Sequence, residues 1–353
     1  MSPDFHMPAE WEKHAATWLA WPHNAHDWPG KFESIPWFYV EVVRLLSRVE
    51  RVEILVRSTT LRSKVTRMLR DGGADLRRVR LHVVPTDRSW TRDSIGPFVR
   101  RGERAGRARL ALVDWKFNAW AKYPNWRRDD AAGRAVARRL GIRRFEPVAG
   151  PAGHERRVVM EGGAIDVNGA GLLLATEECL LSSTQARNPG LGRTAMERTL
   201  CDALGAEKVL WLGRGIAGDD THGHVDDVAR FVGPRTVVAC VESNLGDPNH
   251  EPLAENLARL RRMRDLAGRR LEVVPLPMPA PLSFEGTRLP ASYANFYIAN
   301  GLVLVPIFHD AHDRLALTTL ARVFPGRDVI GLSAVDLLLG LGTLHCMTQQ
   351  QPA

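Results

Sequence analysis

The stretch EPLAENLARLRRMRDLAGRRLEVVPL, residues 251–276, decides the fold. Its first half has apolar residues at helical spacing, and a glycine break separates it from a short strand rich in Val and Leu. The same helix-then-strand pattern recurs at residues 59–85, 129–148, 193–212 and 313–333. The strand ends lie about 60 residues apart, the spacing of one supersecondary unit. The sequence therefore predicts five α/β modules.

Further strand candidates lie between these units, and a polar cluster follows four of the five helix-then-strand units. The strand candidates are RVEILVR (51–57), ARLALVDW (108–115), GLLLAT (171–176), TVVACVES (236–243) and GLVLVPIF (301–308). The polar clusters are SWTRDSIGP (89–97), MEGGAIDVNG (160–169), GDDTHGHVDD (218–227) and GLGTLHC (340–346). A helix-and-strand module cannot bury its apolar faces alone, so the modules must stack or form a ring. Only a closed ring would bring these clusters together, which predicts a five-module, pseudo-symmetric α/β propeller.

The composition indicates a folded protein. Of the 353 residues, 44% are hydrophobic and 25% are charged, and no Pro-, Gly- or Ser-rich linker divides the chain. We therefore expect residues 1–353 to form a single catalytic domain. Charges near the N-terminus argue against a signal peptide or membrane anchor, and no apolar run is long enough to span a membrane. Four scattered cysteines make no disulfide framework, which favours a cytoplasmic location.

The net charge of +8 carries little information about function. Clustered arginines and lysines would indicate binding to a phosphate backbone. Here the basic residues are spread along helix-like stretches, where a solvated charged face explains them. We expect no nucleic-acid partner.

One cysteine stands out as a candidate nucleophile. Cys179, Cys201 and Cys240 lie inside helix or strand patterns and are interpreted as small buried apolar side chains. Cys346 instead follows a Gly-X-Gly turn, where the backbone can approach a ligand closely. Cys346 could therefore act as a nucleophile.

The segment GDDTHGHVDDVARFV, residues 218–232, concentrates acidic and imidazole groups before an apolar strand. If the strand extends backwards, His224 and Asp226 share a face and His222 lies beside them. His222, His224 and Asp226 also resemble the first ligands of a zinc hydrolase, an alternative that remains open.

The two remaining clusters are weak signals when taken singly. Trp90, Arg92 and Asp93 follow a strand, but the two charged residues could form an ordinary ion pair, and Glu161 before two glycines could be a turn. The sequence has neither the GxSxG motif of serine hydrolases nor a GxxxxGK[ST] phosphate loop. The remaining chemistry suits carboxylates beside a thiol. Tryptophans are expected to wall this pocket: Trp90, Trp115, Trp120 and Trp126.

Taken in order, the motifs resemble the agmatine deiminase family of the guanidino-modifying, pentein-fold superfamily, which includes the bacterial-type peptidylarginine deiminases. The motifs that carry the resemblance are MPAEWEKHAATWLAWP, WTRDSIGP, FNAWAKYPNW, EGGAIDVNGAG, TEECLLS, RNPG, GDDTHGHVDDVARF, SYANFYIANGLVLVPIF and GLGTLHCMTQQQP. The resemblance implies hydrolysis of agmatine to N-carbamoylputrescine and ammonia through a covalent thioether, with no cofactor or metal. It also allows a homo-oligomer and a place in polyamine synthesis.

The resemblance also assigns roles to individual residues. It implies a catalytic set of Asp93, His224, Asp226 and Cys346. Trp90 and Glu161 resemble further substrate-binding residues, and Asp220 falls where the family often has a carboxylate facing the far amine.

The sequence departs from the family where Leu341, Thr343 and Leu344 replace residues of a Gly-Gly-Gly-Asn-Ile-His-Cys pattern. The change to Thr343 is expected to remove one amide near the nucleophile. His222 stands where many members have Asp or Asn.

Carboxylates explain how such a site would work, because Asp93 and Asp226 can each accept two N–H donors of a planar guanidinium. Cys346 would attack as the thiolate, and His224 would protonate the departing amine and then activate water. Three alternatives remain: a peptidylarginine or other guanidine deiminase of the same fold, the zinc hydrolase, and a catalytically silent binding protein.

Overall fold

The computed structural model describes residues 5–102 and 109–353. Its α-helices in these ranges are α1 Ile35–Leu46, α2 Thr59–Asp71, α3 Thr91–Ser94, α4 Arg127–Asp130, α5 Ala132–Leu140, α6 Glu177–Leu181, α7 Arg193–Leu204, α8 His250–Arg262 and α9 Asp313–Val323. The strands of the first half are β1 Phe5–His6, β2 His14–Ala20, β3 Arg51–Val56, β4 Val79–Val83, β5 Phe98–Arg101, β6 Leu110–Val113, β7 Arg143–Phe145, β8 Val148–Ala149, β9 Arg156–Arg157, β10 Asp166–Val167 and β11 Leu172–Thr176. Those of the second half are β12 Lys208–Leu212, β13 Ala229–Phe231, β14 Thr236–Val241, β15 Glu272–Pro277, β16 Ser283–Phe284, β17 Thr287–Arg288, β18 Tyr297–Ala299, β19 Leu302–Ile307, β20 Asp328–Ser333 and β21 Gln349–Pro352.

Four mixed sheets share one internal plan. In each, a first strand runs antiparallel to a middle strand, and a helix then leads to a third strand parallel to the middle one. These sheets and their helices are β5-β6-β7 with α5, β10-β11-β12 with α7, β13-β14-β15 with α8, and β18-β19-β20 with α9, and the first of them has β1 as an additional edge strand beside β5. All five predicted helix-then-strand copies form, and the predicted strand candidates form as β3, β6, β11, β14 and β19. Residue 108, the first of one candidate, lies outside the described residues.

The fifth sheet joins the two ends of the described chain. β21 pairs antiparallel with β2, with Gln349 opposite Trp18, and β2 pairs in parallel with β3 through the connecting helix α1. The predicted five-module α/β propeller is therefore confirmed, with this β2-β21 seam closing it. The first predicted copy, α2 with β4, adds a fourth strand to this sheet, and α1 holds the position equivalent to the other module helices.

The seam is unusually polar for a buried strand pair. Gln349, Gln350 and Gln351 are all buried. Trp18 Nε1 donates to Gln351 Oε1 (2.9 Å), and Arg92 Nη1 donates to Gln350 Oε1 (2.6 Å). These hydrogen bonds offset the loss of hydration that the buried amides undergo.

The polar clusters meet where the sheets converge. Arg92 N donates to Cys346 O (3.1 Å), which ties α3 to the segment before β21. Gly163 N donates to Asp93 Oδ1 (2.9 Å), which ties α3 to the 3₁₀ turn Gly162–Ala164. The clusters from distant modules are thus neighbours, as the closed arrangement predicts. Within the described ranges, no helix combines the length and apolar character needed to cross a membrane.

Candidate active site

Cys346 lies in the tight segment between the 3₁₀ turn Leu337–Gly340 and β21. A Cβ atom on Gly342 would stand 3.1 Å from both Cys346 Cβ and the Trp90 ring, so glycine lets the backbone pass between them. The Cys346 side chain is buried. Asp226 Oδ2 lies 3.8 Å from its sulfur. The thiol and this carboxylate therefore face one another, as the interpretation of the sequence requires.

The amide that contacts the thiol belongs to Asn295, a residue that the sequence analysis did not single out. Asn295 Nδ2 donates to Cys346 Sγ (3.1 Å) and to Asp227 Oδ1 (3.0 Å). Thr343 Oγ1 donates to Asn295 Oδ1 (2.8 Å) and so orients this amide. Thr343 supplies no amide itself, as expected, but the nucleophile is still in contact with one.

Asp93 is held at the first turn of α3 by two neutral donors. Gly163 N donates to its Oδ1 (2.9 Å), and Trp120 Nε1 donates to its Oδ2 (2.8 Å). Burial raises the pKa of Asp93, and the nearby carboxylates of Glu161 and Asp226 raise it further. A cation beside Asp93 would favour its ionised form.

Asp226 is positioned from behind by His345. His345 Nδ1 lies 2.7 Å from Asp226 Oδ2, and His345 Nε2 lies 2.9 Å from Glu10 Oε2. Burial opposes ionisation of Asp226, but His345 outweighs it, and the pKa of Asp226 is lowered. Asp226 Oδ1 is buried with no hydrogen-bond partner. This oxygen is an open acceptor inside the protein.

His224 lies among acidic groups. Its Nε2 is 3.6 Å from Glu161 Oε2, and its Nδ1 is 3.9 Å from Asp226 Oδ1. Burial lowers the pKa of His224, but Asp93, Cys179 and Glu161 outweigh burial and raise it well above its ordinary value. A Cβ on Gly163 would stand 2.5 Å from His224 Nδ1, so only glycine leaves room for the imidazole.

Glu161 has one oxygen bound and one free. Arg187 Nε donates to Glu161 Oε1 (3.2 Å), and Glu161 Oε2 is buried without a partner. Burial opposes ionisation of Glu161, but Arg187 and His224 together lower its pKa. Arg187, which lies in the RNPG motif, was missed as a residue of this site.

The predicted strand through His222, His224 and Asp226 is wrong. Residues Val225–Asp227 form a 3₁₀ turn, and the strand β13 begins at Ala229. His222 has a left-handed backbone (φ 63°), and its Nε2 lies 3.3 Å from Ser182 Oγ. The cause is the side chain of Asp219, whose Oδ2 accepts from Gly223 N (2.8 Å) and His224 N (2.9 Å) and so bends the segment.

The described residues do not assemble the zinc set His222, His224 and Asp226. Within residues 5–102 and 109–353, the one grouping with metal-ligand spacing is Glu161, Cys179 and His224, whose ligand atoms lie within 4.8 Å of one another. Its chemistry does not suit a metal, because Glu161 is paired with Arg187 and the pKa of His224 is raised. Metal ligation needs a deprotonated imidazole. Cys179, interpreted as a plain apolar side chain, is in fact a neighbour of His224.

A cavity of about 490 Å³ leads outward from Asp93 and Cys346, whereas Glu161, His224 and Asp226 are not among its lining residues. Its lining residues are Asn24, His26, Asp27, Pro29, Arg88, Trp90, Asp93, Trp120, Tyr123, Asn125, Asp220, Thr221, Leu339, Gly340, Leu341, Gly342 and Cys346. Trp90 and Trp120 wall it, as predicted, but Trp115 and Trp126 do not line it. Trp115 packs in the core around β6 and β11, and Trp126 stands before α4, where Lys116 and Arg127 lie over its ring.

The outer end of the cavity carries paired charges. Lys122 Nζ binds Asp220 Oδ1, and the Tyr123 hydroxyl donates to Asp220 Oδ2 (2.7 Å). Arg88 Nη1 donates to Asp27 Oδ1 (2.6 Å). Asp220 therefore lies in the same cavity as Asp93 and Cys346, at the predicted far end.

The negative charge at the inner end of the cavity opposes ionisation of the Cys346 thiol. Burial raises the pKa of Cys346 well above its ordinary value, and Asp226, Asp227 and Asp93 raise it further. Among the described residues, the side-chain contacts of Cys346 Sγ are Asn295 Nδ2 and Asp226 Oδ2, neither of them a cation. A cation bound beside Cys346 would lower this pKa.

Known proteins share both this sequence and this structure. The family described as Porphyromonas-type peptidyl-arginine deiminase matches residues 6–352. An agmatine deiminase of Ectopseudomonas mendocina is 34% identical over 372 residues, which cover 99% of this chain and 96% of that protein. An agmatine deiminase structure from Enterococcus faecalis is 32% identical, with a TM-score of 0.87 and coverage of 99% of this chain and 96% of that one. A C. jejuni agmatine deiminase with substrate bound is 27% identical, with a TM-score of 0.85 and coverage of 99% and 96%. The chain is thus a guanidine-modifying hydrolase of C–N bonds, and it belongs to the agmatine deiminase and Porphyromonas-type peptidyl-arginine deiminase family.

Proposed function

We propose that this enzyme hydrolyses agmatine to N-carbamoylputrescine and ammonia, with Cys346 as the nucleophile. Asp93, Asp226 and Glu161 bind the guanidinium, and His224 transfers protons. Trp90 closes one side of the pocket, and Asp220 receives the far ammonium. No metal or cofactor takes part in this scheme.

One observation carries the proposal: open acceptors are buried around the thiol. Among the described residues, Asp226 Oδ1 and Glu161 Oε2 accept no hydrogen bond although both side chains are fully buried, and each faces a ring nitrogen of His224 beyond hydrogen-bond distance, at 3.9 and 3.6 Å. An unpaired buried carboxylate oxygen is costly unless a ligand completes it. A guanidinium supplies up to five N–H donors in one plane together with a positive charge. It therefore satisfies both the geometry and the electrostatics of this cluster.

The chemistry then follows in two halves. Binding of the cation lowers the pKa of Cys346, and the thiolate attacks the central carbon of the guanidinium to form a tetrahedral adduct. His224, whose raised pKa keeps it protonated, donates its proton to one nitrogen, which leaves as ammonia. The remaining amidino group stays bonded to sulfur.

In the second half, neutral His224 removes a proton from water, and the resulting hydroxide attacks the same carbon. The C–S bond breaks, which returns the thiolate, and the O–H proton of the product passes to solvent, where it is taken up by the released ammonia, leaving a neutral substituted urea. The ionised Asp226 and Glu161 stabilise the positive charge that the reacting carbon and its nitrogens share throughout both halves.

The choice of agmatine rests on the far end of the cavity and on the relatives. Asp220 is an acid at the cavity's outer end, which suits an ammonium, and relatives that match nearly the whole chain are named agmatine deiminases. Peptidylarginine and other guanidines remain the alternatives, because the guanidinium-binding end would serve them equally.

The domain organisation, cellular location and partners rest on other features of the chain. We propose one catalytic domain over residues 1–353, since the β2-β21 seam joins its two ends. The four cysteines are free, which suits a cytoplasmic enzyme. The proposed partner is a small guanidine, with no nucleic acid and no membrane, and the enzyme could act as a homo-oligomer.

Ammonia release tests the substrate assignment. Purified enzyme is incubated with agmatine, free arginine and an arginine-containing peptide, and ammonia is measured over time. We expect the highest kcat/KM for agmatine. A preference for arginine or the peptide would overturn the substrate, and release of no ammonia from any guanidine would leave the silent binding protein as the explanation.

A further inference from the structure

Lys122 binds Asp220, the carboxylate that we propose as the binding group for the far ammonium of agmatine. Its Nζ binds Asp220 Oδ1, and the Tyr123 hydroxyl donates to Asp220 Oδ2 (2.7 Å). Both oxygens of Asp220 are therefore engaged before a substrate arrives. An incoming ammonium must displace one of these two groups or share the carboxylate with it.

The lysine is chemically the same as the group that would replace it. A lysine side chain carries a primary ammonium on four methylene carbons, and agmatine carries its far ammonium on four methylene carbons. The Lys122 side chain is 44% exposed, whereas that of Asp220 is 13% exposed. Because exposed ion pairs are weak, Lys122 can move into water while Asp220 stays in place.

The second ion pair of the cavity differs in this respect. The side chains of Arg88 and Asp27 are only 14% and 2% exposed. The Arg88 guanidinium also lies 4.2 Å from the centre of the Tyr123 ring. Breaking this pair would leave a buried charge without a partner, which is costly. The outer end thus combines one fixed pair with one that can exchange.

The backbone around Lys122 is fixed, so its side chain is the part that can move. Ala119, Trp120 and Ala121 are three consecutive non-glycine residues in the left-handed region, with φ of 51°, 57° and 55°. Such a run is unfavourable unless its surroundings hold it. Gln185 Nε2 supplies that restraint by donating to Trp120 O (3.0 Å) and to Asp220 O (2.9 Å). The turn that carries Lys122 is thereby tied to the backbone of Asp220.

We infer that Lys122 determines specificity because it competes with the far ammonium of agmatine for Asp220. When agmatine binds, its far ammonium displaces Lys122 from that carboxylate. This inference rests on the proposed function. N-carbamoylputrescine keeps the same ammonium, so the return of Lys122 to Asp220 also helps to release the product. The competition weakens agmatine binding, but it does not touch the reacting carbon.

The variant Lys122→Met removes the competing charge and keeps most of the aliphatic side chain. We expect its KM for agmatine to fall about two- to fivefold, the range for loss of a partly exposed ion pair. Inhibition by N-carbamoylputrescine should become stronger by a similar factor. The ratio of kcat/KM for agmatine to that for butylguanidine, which lacks the far ammonium, should rise accordingly.

Two controls isolate the effect. Lys208→Met removes a surface lysine on β12, outside the cavity lining, and should leave KM and kcat/KM unchanged for both agmatine and butylguanidine. In an Asp220→Asn background, Lys122→Met should no longer lower the KM for agmatine, because the shared partner is gone. A KM for agmatine that stays equal or rises in Lys122→Met would overturn the inference and leave the proposed function standing. Failure of the parent enzyme to release ammonia from agmatine would overturn the proposed function itself.

Discussion

The inner and outer ends of the cavity carry acidic side chains in opposite states. At the inner end, Asp93 accepts only from neutral N–H groups among the described residues, and Asp226 and Glu161 each have one buried oxygen that accepts no hydrogen bond there and faces the His224 ring at 3.9 and 3.6 Å. At the outer end, Asp220 has both oxygens bound, one of them by a lysine ammonium. The inner end therefore requires a cation, whereas the outer end only exchanges one cation for another. Reactivity depends on the first arrangement, and selection among guanidines depends on the second.

The largest effect should come from removing the nucleophile at the inner end. Cys346→Ala should lower kcat by roughly 10⁵-fold, because it removes the sulfur on which the proposed covalent intermediate forms. Circular dichroism should show an unchanged fold. Cys201→Ala, a half-buried cysteine on α7, is the matched control and should keep full activity. Ammonia release by Cys346→Ala near the parent rate would favour a metal-dependent hydrolase, which chelation would then examine.

The next effect tests whether the free oxygens at the inner end act on the reaction. Asp226→Asn keeps the shape but removes the charge, and kcat/KM for agmatine should fall about 10²- to 10³-fold. Asp202→Asn, an exposed position on α7, should have no effect. Steady-state kinetics of both variants measure the difference. If Asp226→Asn changed only KM, Asp226 would be a binding group and the contrast between the two ends would weaken.

A third effect concerns the space around His224. Gly163→Ala would place a Cβ 2.5 Å from His224 Nδ1 and must shift the imidazole. Displacement of a proton-transfer group by about 1 Å can reduce the rate about 10²-fold. Gly326→Ala, where a Cβ would meet nothing within 4 Å, should be neutral. Equal kcat in the two glycine variants would show that the position of His224 is not critical.

The smallest effect in this group concerns the thiol pKa. Burial and three aspartates raise the pKa of Cys346, so less thiolate is present at neutral pH than for a free cysteine. Alkylation by neutral iodoacetamide should therefore be slow at pH 7.5, and its rate should still rise at pH values above about 8.5, where the rate of a free cysteine levels off. A cationic haloacetamidine lowers this pKa as it binds, so its advantage over iodoacetamide should exceed that seen with free cysteine about tenfold.

Alkylation rates over pH 6 to 10 measure this prediction, and Asp226→Asn serves as the control. Removing that negative charge should make iodoacetamide faster and shrink the advantage of the amidine. A rate with iodoacetamide that does not vary with pH would mean that the thiolate is already formed, and ionisation of Cys346 would then not depend on a bound cation.

The fold was predictable where apolar periodicity is strong. Helix α8 and strand β15 follow directly from residues 251–276, and the other copies follow in the same way. β21 was not recognisable, because Gln349, Gln350 and Gln351 have no strand pattern and are buried only through hydrogen bonds to Trp18, Arg92 and the backbone. Pairing between the two ends of a chain leaves no local signal.

The site was predictable where a motif carries its own geometry. Cys346 after a Gly-X-Gly turn was singled out in this way, whereas Asp93 was a weak signal by itself and was assigned through the family resemblance. Asn295 was not, because its contact with the thiol depends on the seam and not on neighbouring residues. His222 was misplaced because one side chain, Asp219, bends the backbone ahead of the strand. Side-chain control of a loop is invisible to strand periodicity.

The β2-β21 seam also sets the order in which the enzyme can become active during its synthesis. The thiol of Cys346 is translated after all five module helices, and it is fixed only when the strand behind it pairs with β2. A nascent chain that has completed every other module already contains Asp93, Glu161, His224 and Asp226, but it lacks the thiol that bonds to carbon and the His345 side chain that positions Asp226. Translation products that stop short of this seam could at most retain a guanidine without consuming it, so turnover itself reports that the ribosome has passed Cys346.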